Sequence, residues 1–228
     1  MLRAIIFDFD GVIVDSEPLI LELTRKIAAR EGWTLSTEEY YREYLALDDR
    51  AIVEHLFRSH GKQIERARRD ALLQWKSAAY LEAIRDGLPA MPGAVEFVHR
   101  LRSAGYSLAI ASGSLQEEVE YLLRKLGLHE HFSALATAED SERSKPDPGV
   151  YLKALGRLQR LEVFRERVLQ PAECLAIEDA PAGVHAAHAA GIKCLAFTHS
   201  RPPDELDHAD WVFQNFMEVN LEEIAKGY

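Results

Sequence analysis

The chain has 228 residues, of which 47% are hydrophobic and 28% charged, the composition of a globular protein with its own core and not of a disordered segment. Its net charge of −10 at pH 7 disfavours nucleic acid and anionic membrane surfaces as partners, yet leaves room for a small anionic ligand at a locally cationic site. No apolar run approaches the roughly 20 residues of a membrane span, and the first residues lack the long apolar stretch of a secretory signal. The two cysteines, Cys174 and Cys194, lie in apolar runs and are expected to be buried and reduced. A cytoplasmic protein, monomeric by default, is the expectation.

Residues 4–9 (Ala-Ile-Ile-Phe-Asp-Phe) read as a strand buried on both faces, ending in Asp8 and Asp10, with Gly11 permitting a sharp turn. Residues 17 to about 86 show helical spacing only. One helix carries Leu19, Ile20, Leu23 and Ile27 and stops near Gly32; a second begins near Ala51 and ends near Gly61; a third runs from about Gln63 to Ile84. Asp86-Gly87-Leu88-Pro89 and Met91-Pro92-Gly93 close the segment with turns. The pattern then alternates. Helix 94–103 is followed by strand 107–112, helix 115–126, a short strand near 134–137 and helix 149–158. Strand 174–178, helix 182–190, strand 192–197 and a last strand at 211–213 complete the chain. Strands alternating with helices imply a doubly wound parallel α/β sheet. The predicted organisation is an α/β core of residues 1–14 and 90–228, with an all-helical module of residues 15–89 inserted after the first strand. The charge-rich stretch 159–172 reads as a surface extension of a helix or loop.

In open α/β sheets ligands bind beyond the carboxyl ends of the strands. Those ends carry Asp8 and Asp10, then Ser112-Gly113-Ser114, then a loop with Ser144-Lys145-Pro146, then Glu178-Asp179. Two carboxylates about 4 Å apart repel by roughly 4 kcal/mol at an effective dielectric near 20. A cluster of Asp8, Asp10, Glu178 and Asp179 therefore calls for a compensating cation, and a hard divalent ion such as Mg²⁺ suits oxygen ligands that must also accommodate phosphate. Four acids give −4, and Mg²⁺ with Lys145 gives +3, so a protonated Asp10 leaves the site neutral. Each piece alone has a plainer reading as a turn, a cap or a solvated side chain. Their conjunction on successive strand ends is what points to phosphoryl transfer.

These residues resemble the motifs of the haloacid dehalogenase superfamily over nearly the whole chain. Asp8-Phe-Asp10-Gly11-Val12 is similar to its nucleophile motif, Ser112 to its second, Lys145-Pro-Asp-Pro to its third, and Glu178-Asp179-Ala-Pro-Ala-Gly183 to its fourth. The helical insert resembles the cap of the subgroup containing β-phosphoglucomutase and phosphoglycolate-type phosphatases. The resemblance implies a Mg²⁺-dependent phosphatase acting on a small phosphorylated metabolite. Asp8 would be the nucleophile that carries an aspartyl phosphate and Asp10 the general acid and base. Mg²⁺ would be held by the Asp8 carboxylate, the Asp10 carbonyl and Asp179, with Glu178 in or next to the shell. Ser112, Gly113 and neighbouring amides would bind phosphoryl oxygens, and Lys145 would neutralise charge on Asp8 and the phosphate. Substrate choice would come from the cap, with Ser16, Glu17, Arg50 and Lys76 as candidates.

A phosphomutase using the same core is the nearest alternative. The stretch 46–50 (Ala-Leu-Asp-Asp-Arg) departs from the Gly-Val-Ser-Arg turn of mutase-like caps, and Pro18-Leu-Ile-Leu lacks the histidine common there, which favours a phosphatase. A dehalogenase needs no acid at Asp10. A phospho-receiver domain would be about half this length and without the insert, and a dinucleotide-binding module would need a Gly-x-Gly-x-x-Gly turn that is missing. His185 and His188 share a helix face without an apparent third metal ligand.

Overall fold

The computed structural model describes every residue except 46 and 48. The chain divides into two compact units, Met1–Asp15 with Pro89–Tyr228, and Ser16–Leu88. Asp15 and Pro89 both belong to the first, because the Asp15 amide donates to the Pro89 carbonyl at 2.9 Å and Val14 bridges Ala90.

The Ser16–Leu88 unit consists of helices α1 (Glu17–Arg30), α2 (Thr37–Glu43), α3 (Asp49–Ser59) and α4 (Arg66–Ala83). Its core gathers Leu21, Ile27, Tyr40, Tyr44, Ile52, Leu56 and Leu72, with Trp33 edge-on to Phe57 at 4.9 Å. Three of these helices follow the expected periodicity. Helix α2 does not: its seven residues are too few for a periodic signal, and only Tyr40 among them is buried. Its start is fixed locally, where Ser36 Oγ accepts from the Glu39 amide at 3.0 Å.

The other unit is an α/β layer structure. Among the described residues six strands form one sheet: β1 (Ala4–Phe7), β2 (Ser107–Ala111), β3 (Ala134–Ala136), β4 (Cys174–Glu178), β5 (Lys193–Phe197) and β6 (Trp211–Phe213). The order is β3-β2-β1-β4-β5-β6, and every neighbouring pair is parallel. Helices α5 (Ala94–Ser103), α6 (Gln116–Lys125), α7 (Gly149–Leu158), α8 (Pro181–Ala189) and the short α9 (Leu221–Ala225) complete it. The central strands are buried along their whole length, which explains their unbroken apolar sequences. Alternate β1 residues serve opposite faces. Ala4 and Ile6 join a cluster with Tyr151, Ala154, Leu158 and Val184, while Phe7 meets Phe97 and Phe132 edge-on.

Strand β1 ends earlier than the apolar run suggests, because the Phe9 carbonyl accepts from Ile13 at 2.8 Å and closes a turn. The Asp8 amide still donates to Ile177 at 2.9 Å, so the backbone of Asp8 remains tied to β4. Residues 159–172 correct the expectation of a purely surface segment. Phe164 and Leu169 are buried in the same cluster as α7, the Arg3 guanidinium lies 4.7 Å from the Phe164 ring centroid, and Gln159 Nε2 donates to the Leu169 carbonyl at 2.8 Å. Dense charge around them masks these anchors in the sequence. Both cysteines are buried and free. No helix among the described residues is long and apolar enough to cross a membrane.

Replacing Phe164 by Ala is expected to destabilise the protein by about 3 to 5 kcal/mol, read as a lower urea midpoint at constant slope. Val163→Ala, at an exposed neighbour, is expected to shift stability by less than about 0.5 kcal/mol.

Candidate active site

Strands β1 and β4 lie side by side at the point where the strand order reverses direction along the chain, the place where open α/β sheets bind ligands. Asp8 follows β1 directly, Glu178 is the last residue of β4, and Asp179 comes next. Oxygen atoms of these three carboxylates lie within 4.8 Å of one another, and all three side chains are largely withdrawn from solvent.

Lys145 is the local counter-charge. Its Nζ donates to Asp8 Oδ1 and to Glu178 Oε1, both at 2.6 Å. Its loop is pinned at either end. Before it, the Arg157 guanidinium grips Asp140 through two hydrogen bonds of 2.6 and 2.7 Å; after it, the Gly149 amide donates to Asp147 Oδ1 at 2.9 Å as α7 begins. The Lys145–Pro146 peptide is cis. Burial raises the Asp8 carboxyl to about 6, with the Glu178 charge pushing the same way and Lys145 opposing. Burial works against the Lys145 ammonium too, but the Asp8 and Glu178 carboxylates outweigh it and hold the ammonium above the usual lysine range.

Two glycines make the clustering sterically possible. A Cβ on Gly11, whose φ is +74°, would lie 2.1 Å from Asp179 Oδ2, and a Cβ on Gly183 would lie 2.0 Å from Glu178 Cδ. Beyond permitting the turn, Gly11 lets the Asp179 carboxylate pack against bare backbone. Gly183 sits in the first turn of α8, so the Glu178 carboxylate rests where a helix start favours negative charge.

Hydroxyl groups hold the remaining acids. Ser114 Oγ donates to Asp10 Oδ2 at 2.5 Å, Ser200 Oγ donates to Asp179 Oδ2, and Tyr151 Oη donates to Glu178 Oε1 at 2.6 Å. Burial raises the Tyr151 phenol well above its ordinary value, so it acts as a donor. The side chain of Asp10 lies outside the three-carboxylate group. Ser112 is buried after β2, its amide donating to Ala136 at 2.9 Å and its Oγ accepting from the Ser114 amide at 2.9 Å. The bend at Gly113 separates the two serines, with nothing within 4 Å of a Cβ placed there. Ser114, Ser200 and Tyr151 carried no role in the sequence reading. Tyr151 lies six positions beyond Lys145, and Ser200 belongs to no motif.

The structure thus gathers Asp8, Lys145, Glu178 and Asp179 directly and links Asp10 to the Ser112–Ser114 turn. Lys76 and Arg50 belong to the helical unit. Lys76 is buried and ion-paired with Asp49, so it is no ordinary surface lysine, whereas Arg50 is exposed. Glu17 accepts from Tyr40 Oη at 2.5 Å, and Ser16 is buried. Of the departure noted at 46–50, residues 46 and 48 lie outside the described residues. His185 stacks on His208 with centroids 4.2 Å apart, and His188 bonds Asp210 at 2.9 Å, so the two imidazoles have separate partners.

The donor set is all carboxylate oxygen, without His or Cys, crowded beyond what one ammonium offsets and seated against two bare backbone positions. These residues fit a hard divalent cation of the Mg²⁺ kind.

Residues 2–191 match the sequence profile of haloacid dehalogenase-like hydrolases. A phosphorylated carbohydrates phosphatase of Thermotoga maritima is 32% identical over 195 residues, spanning 84% of this chain and 83% of that protein. The structure of β-phosphoglucomutase from Clostridium difficile superimposes with a TM-score of 0.85 at 22% identity, covering 99% of this chain and 96% of that one, a likeness of fold. CbbY from Rhodobacter sphaeroides in complex with phosphate gives a TM-score of 0.81 at 25% identity, covering 96% of each chain.

Gly183→Ala is expected to displace the Glu178 carboxylate and weaken Mg²⁺ binding, measured by calorimetry, by about tenfold or more. Gly156→Ala, in open space on α7, is expected to leave binding unchanged and to stabilise the fold by up to about 1 kcal/mol. The raised carboxyl of Asp8 gives a second expectation. Its protonated form favours the metal-free fold, so its contribution is complete below its ordinary value of 3.8 and is lost as pH rises through about 6. The urea midpoint of the metal-free protein, minus that of Asp8→Asn, should fall across this interval.

Proposed function

The chain belongs to the haloacid dehalogenase-like hydrolases, and on that premise we propose that it is a Mg²⁺-dependent phosphatase of small phosphorylated metabolites, working through a phosphoaspartate at Asp8. The observation that carries the reading is the Lys145 ammonium, 2.6 Å from both Asp8 and Glu178 in a nearly dry pocket of three carboxylates.

Asp8 supplies the attacking oxygen. As its bond to phosphorus forms, the bond from phosphorus to the ester oxygen breaks, and Asp10 gives its proton to the departing alkoxide. Water then attacks phosphorus, Asp10 takes back a proton, and the cleavage of the acyl phosphate returns the Asp8 carboxylate with inorganic phosphate. The contact of Ser114 with Asp10 supports this division of labour, since it holds the second acid apart from the carboxylate cluster at 2.5 Å from a neutral donor. Ser112, Gly113 and the adjoining amides are assigned to the phosphoryl oxygens, and Lys145 to neutralising the charge that Asp8 and phosphate bring together. Mg²⁺, held by the Asp8 and Asp179 carboxylates and the Asp10 carbonyl with Glu178 beside them, would supply electrostatic stabilisation of the transferring group. Substrate selectivity is assigned to the helical unit, with Lys76 and Arg50 as the candidate cationic contacts. The same reading assigns the chain to the cytoplasm as a monomer.

A phosphatase is favoured by the name of the Thermotoga maritima relative, which acts on phosphorylated carbohydrates. A phosphomutase is the second reading, favoured by the fold shared with the Clostridium difficile enzyme. The test is phosphate release from a panel of sugar phosphates and phosphoglycolate, with Mg²⁺ or chelator, alongside assay for isomerised sugar phosphates. Chelator-sensitive phosphate release is expected, abolished in Asp8→Asn and lowered about 10²- to 10⁴-fold in Asp10→Ala. Isomer without free phosphate would establish the mutase instead, and unchanged turnover in Asp8→Asn would refute the phosphoaspartate.

A further inference from the structure

We propose that Tyr151 is a positioning residue for Glu178: its hydroxyl fixes which carboxylate oxygen faces Lys145 and which is left for the divalent cation. The proposal rests on the metal reading above and extends it to a residue outside the acidic motifs.

Tyr151 is the third residue of α7 and is fully buried. Its ring packs in the core cluster beside Ala154, Leu158 and Val184, a place that phenylalanine would fill equally well. The hydroxyl is therefore surplus to packing, and a buried hydroxyl is unfavourable unless it is bonded. Its partner is Glu178 Oε1 at 2.6 Å, and the same oxygen accepts from Lys145 Nζ, also at 2.6 Å. A carboxylate oxygen offers about two acceptor positions, so these two donors occupy Oε1. Oε2, the other oxygen, accepts from the Asp179 amide at 3.3 Å, while a Cβ on Gly183 would lie 2.1 Å from either oxygen. The two oxygens are thus inequivalent, and Tyr151 maintains the difference.

The tyrosine also acts on the lysine. Lys145 Nζ lies 5.2 Å from the Tyr151 ring centroid, so the ring face and the hydroxyl constrain the two ends of the Lys145–Glu178 pair together. Without the hydroxyl, Oε1 keeps Lys145 but loses its second donor at a buried carboxylate. Glu178 is then free to turn toward Lys145, and the oxygen presented to the cation is no longer set in advance. The consequence is weaker cation binding and not weaker packing. The phosphoryl-binding groups, Ser112 and Gly113, belong to a different strand end and are unaffected.

The test is Tyr151→Phe, which keeps the ring. Mg²⁺ binding to the protein without substrate is measured by isothermal titration calorimetry, and thermal stability by calorimetric scanning with chelator. Activity is followed as a function of Mg²⁺ at saturating substrate. The expected result is a Mg²⁺ dissociation constant raised about tenfold, the effect of losing one hydrogen bond to a charged group. The Tm of the metal-free protein should move by less than about 4 °C. Turnover at high Mg²⁺ should recover, with KM for the phosphorylated substrate unchanged. Wild-type Mg²⁺ affinity in the variant, with or without a fall in Tm, would overturn the proposal while leaving the metal reading intact. Failure of the wild-type protein to bind Mg²⁺ at all would overturn both. If Tyr151→Phe does not fold, Gly183→Ser gives a second route, since its Cβ would displace the Glu178 carboxylate as a whole: Mg²⁺ affinity equal to wild type there would mean that the placement of Glu178 does not set cation binding, and would contradict the proposal.

Discussion

Carboxylates held within 4.8 Å of one another in a largely dry pocket repel, and this repulsion is what the rest of the α/β unit is arranged to contain. One ammonium, that of Lys145, offsets part of it. The remaining negative charge suits the pocket to a hard cation. Sheet order brings β1 and β4 together, so that residues far apart in the chain are adjacent at the strand ends. The glycines at 11 and 183 remove the side chains that would otherwise force Asp179 and Glu178 outward. The Lys145 loop is secured by a bidentate Arg157–Asp140 pair some distance from the chemistry. None of these features is unusual alone; each is explained by the charge it surrounds.

The acids divide according to what touches them. Asp8 and Glu178 share the Lys145 ammonium, Glu178 also receives the Tyr151 hydroxyl, and Asp10 and Asp179 receive the hydroxyls of Ser114 and Ser200. A neutral donor orients a carboxylate without cancelling its charge, so Asp10 and Asp179 keep theirs.

How much of this was visible in the sequence follows from the physics of each feature. Buried parallel strands write themselves as unbroken apolar runs, so Ala4–Phe7, Ser107–Ala111 and Cys174–Glu178 were legible along with the acids that end them. Lys145 was legible because its loop motif is short and contiguous. Helix α2 was not, since seven residues with one buried side chain give no period. The anchors Phe164 and Leu169 were hidden by the charged residues between them, which average a mixed segment into a surface one. The hydroxyl donors were hidden for another reason. Tyr151 and Ser200 acquire meaning only when α7 and the turn after β5 are folded against β4, and nothing local distinguishes them from core or turn residues. The burial of Lys76 was equally out of reach, because its partner Asp49 lies on another helix.

The chain leaves the α/β unit and returns to it at adjoining points: Asp15 bonds directly to Pro89, Val14 bridges Ala90, and Met91 bonds back to Ile13. Everything between is an excursion whose two ends are stitched together by the host. Closing such a loop carries an entropic cost that grows only slowly with its length. Insertions, deletions or exchange of the intervening helices therefore strain the host little, because the stitch and not the insert sets the spacing of its ends. An α/β framework built in this way can keep its carboxylates fixed while the inserted segment is replaced wholesale, so that the acidic cluster and the helical unit are free to change at different rates.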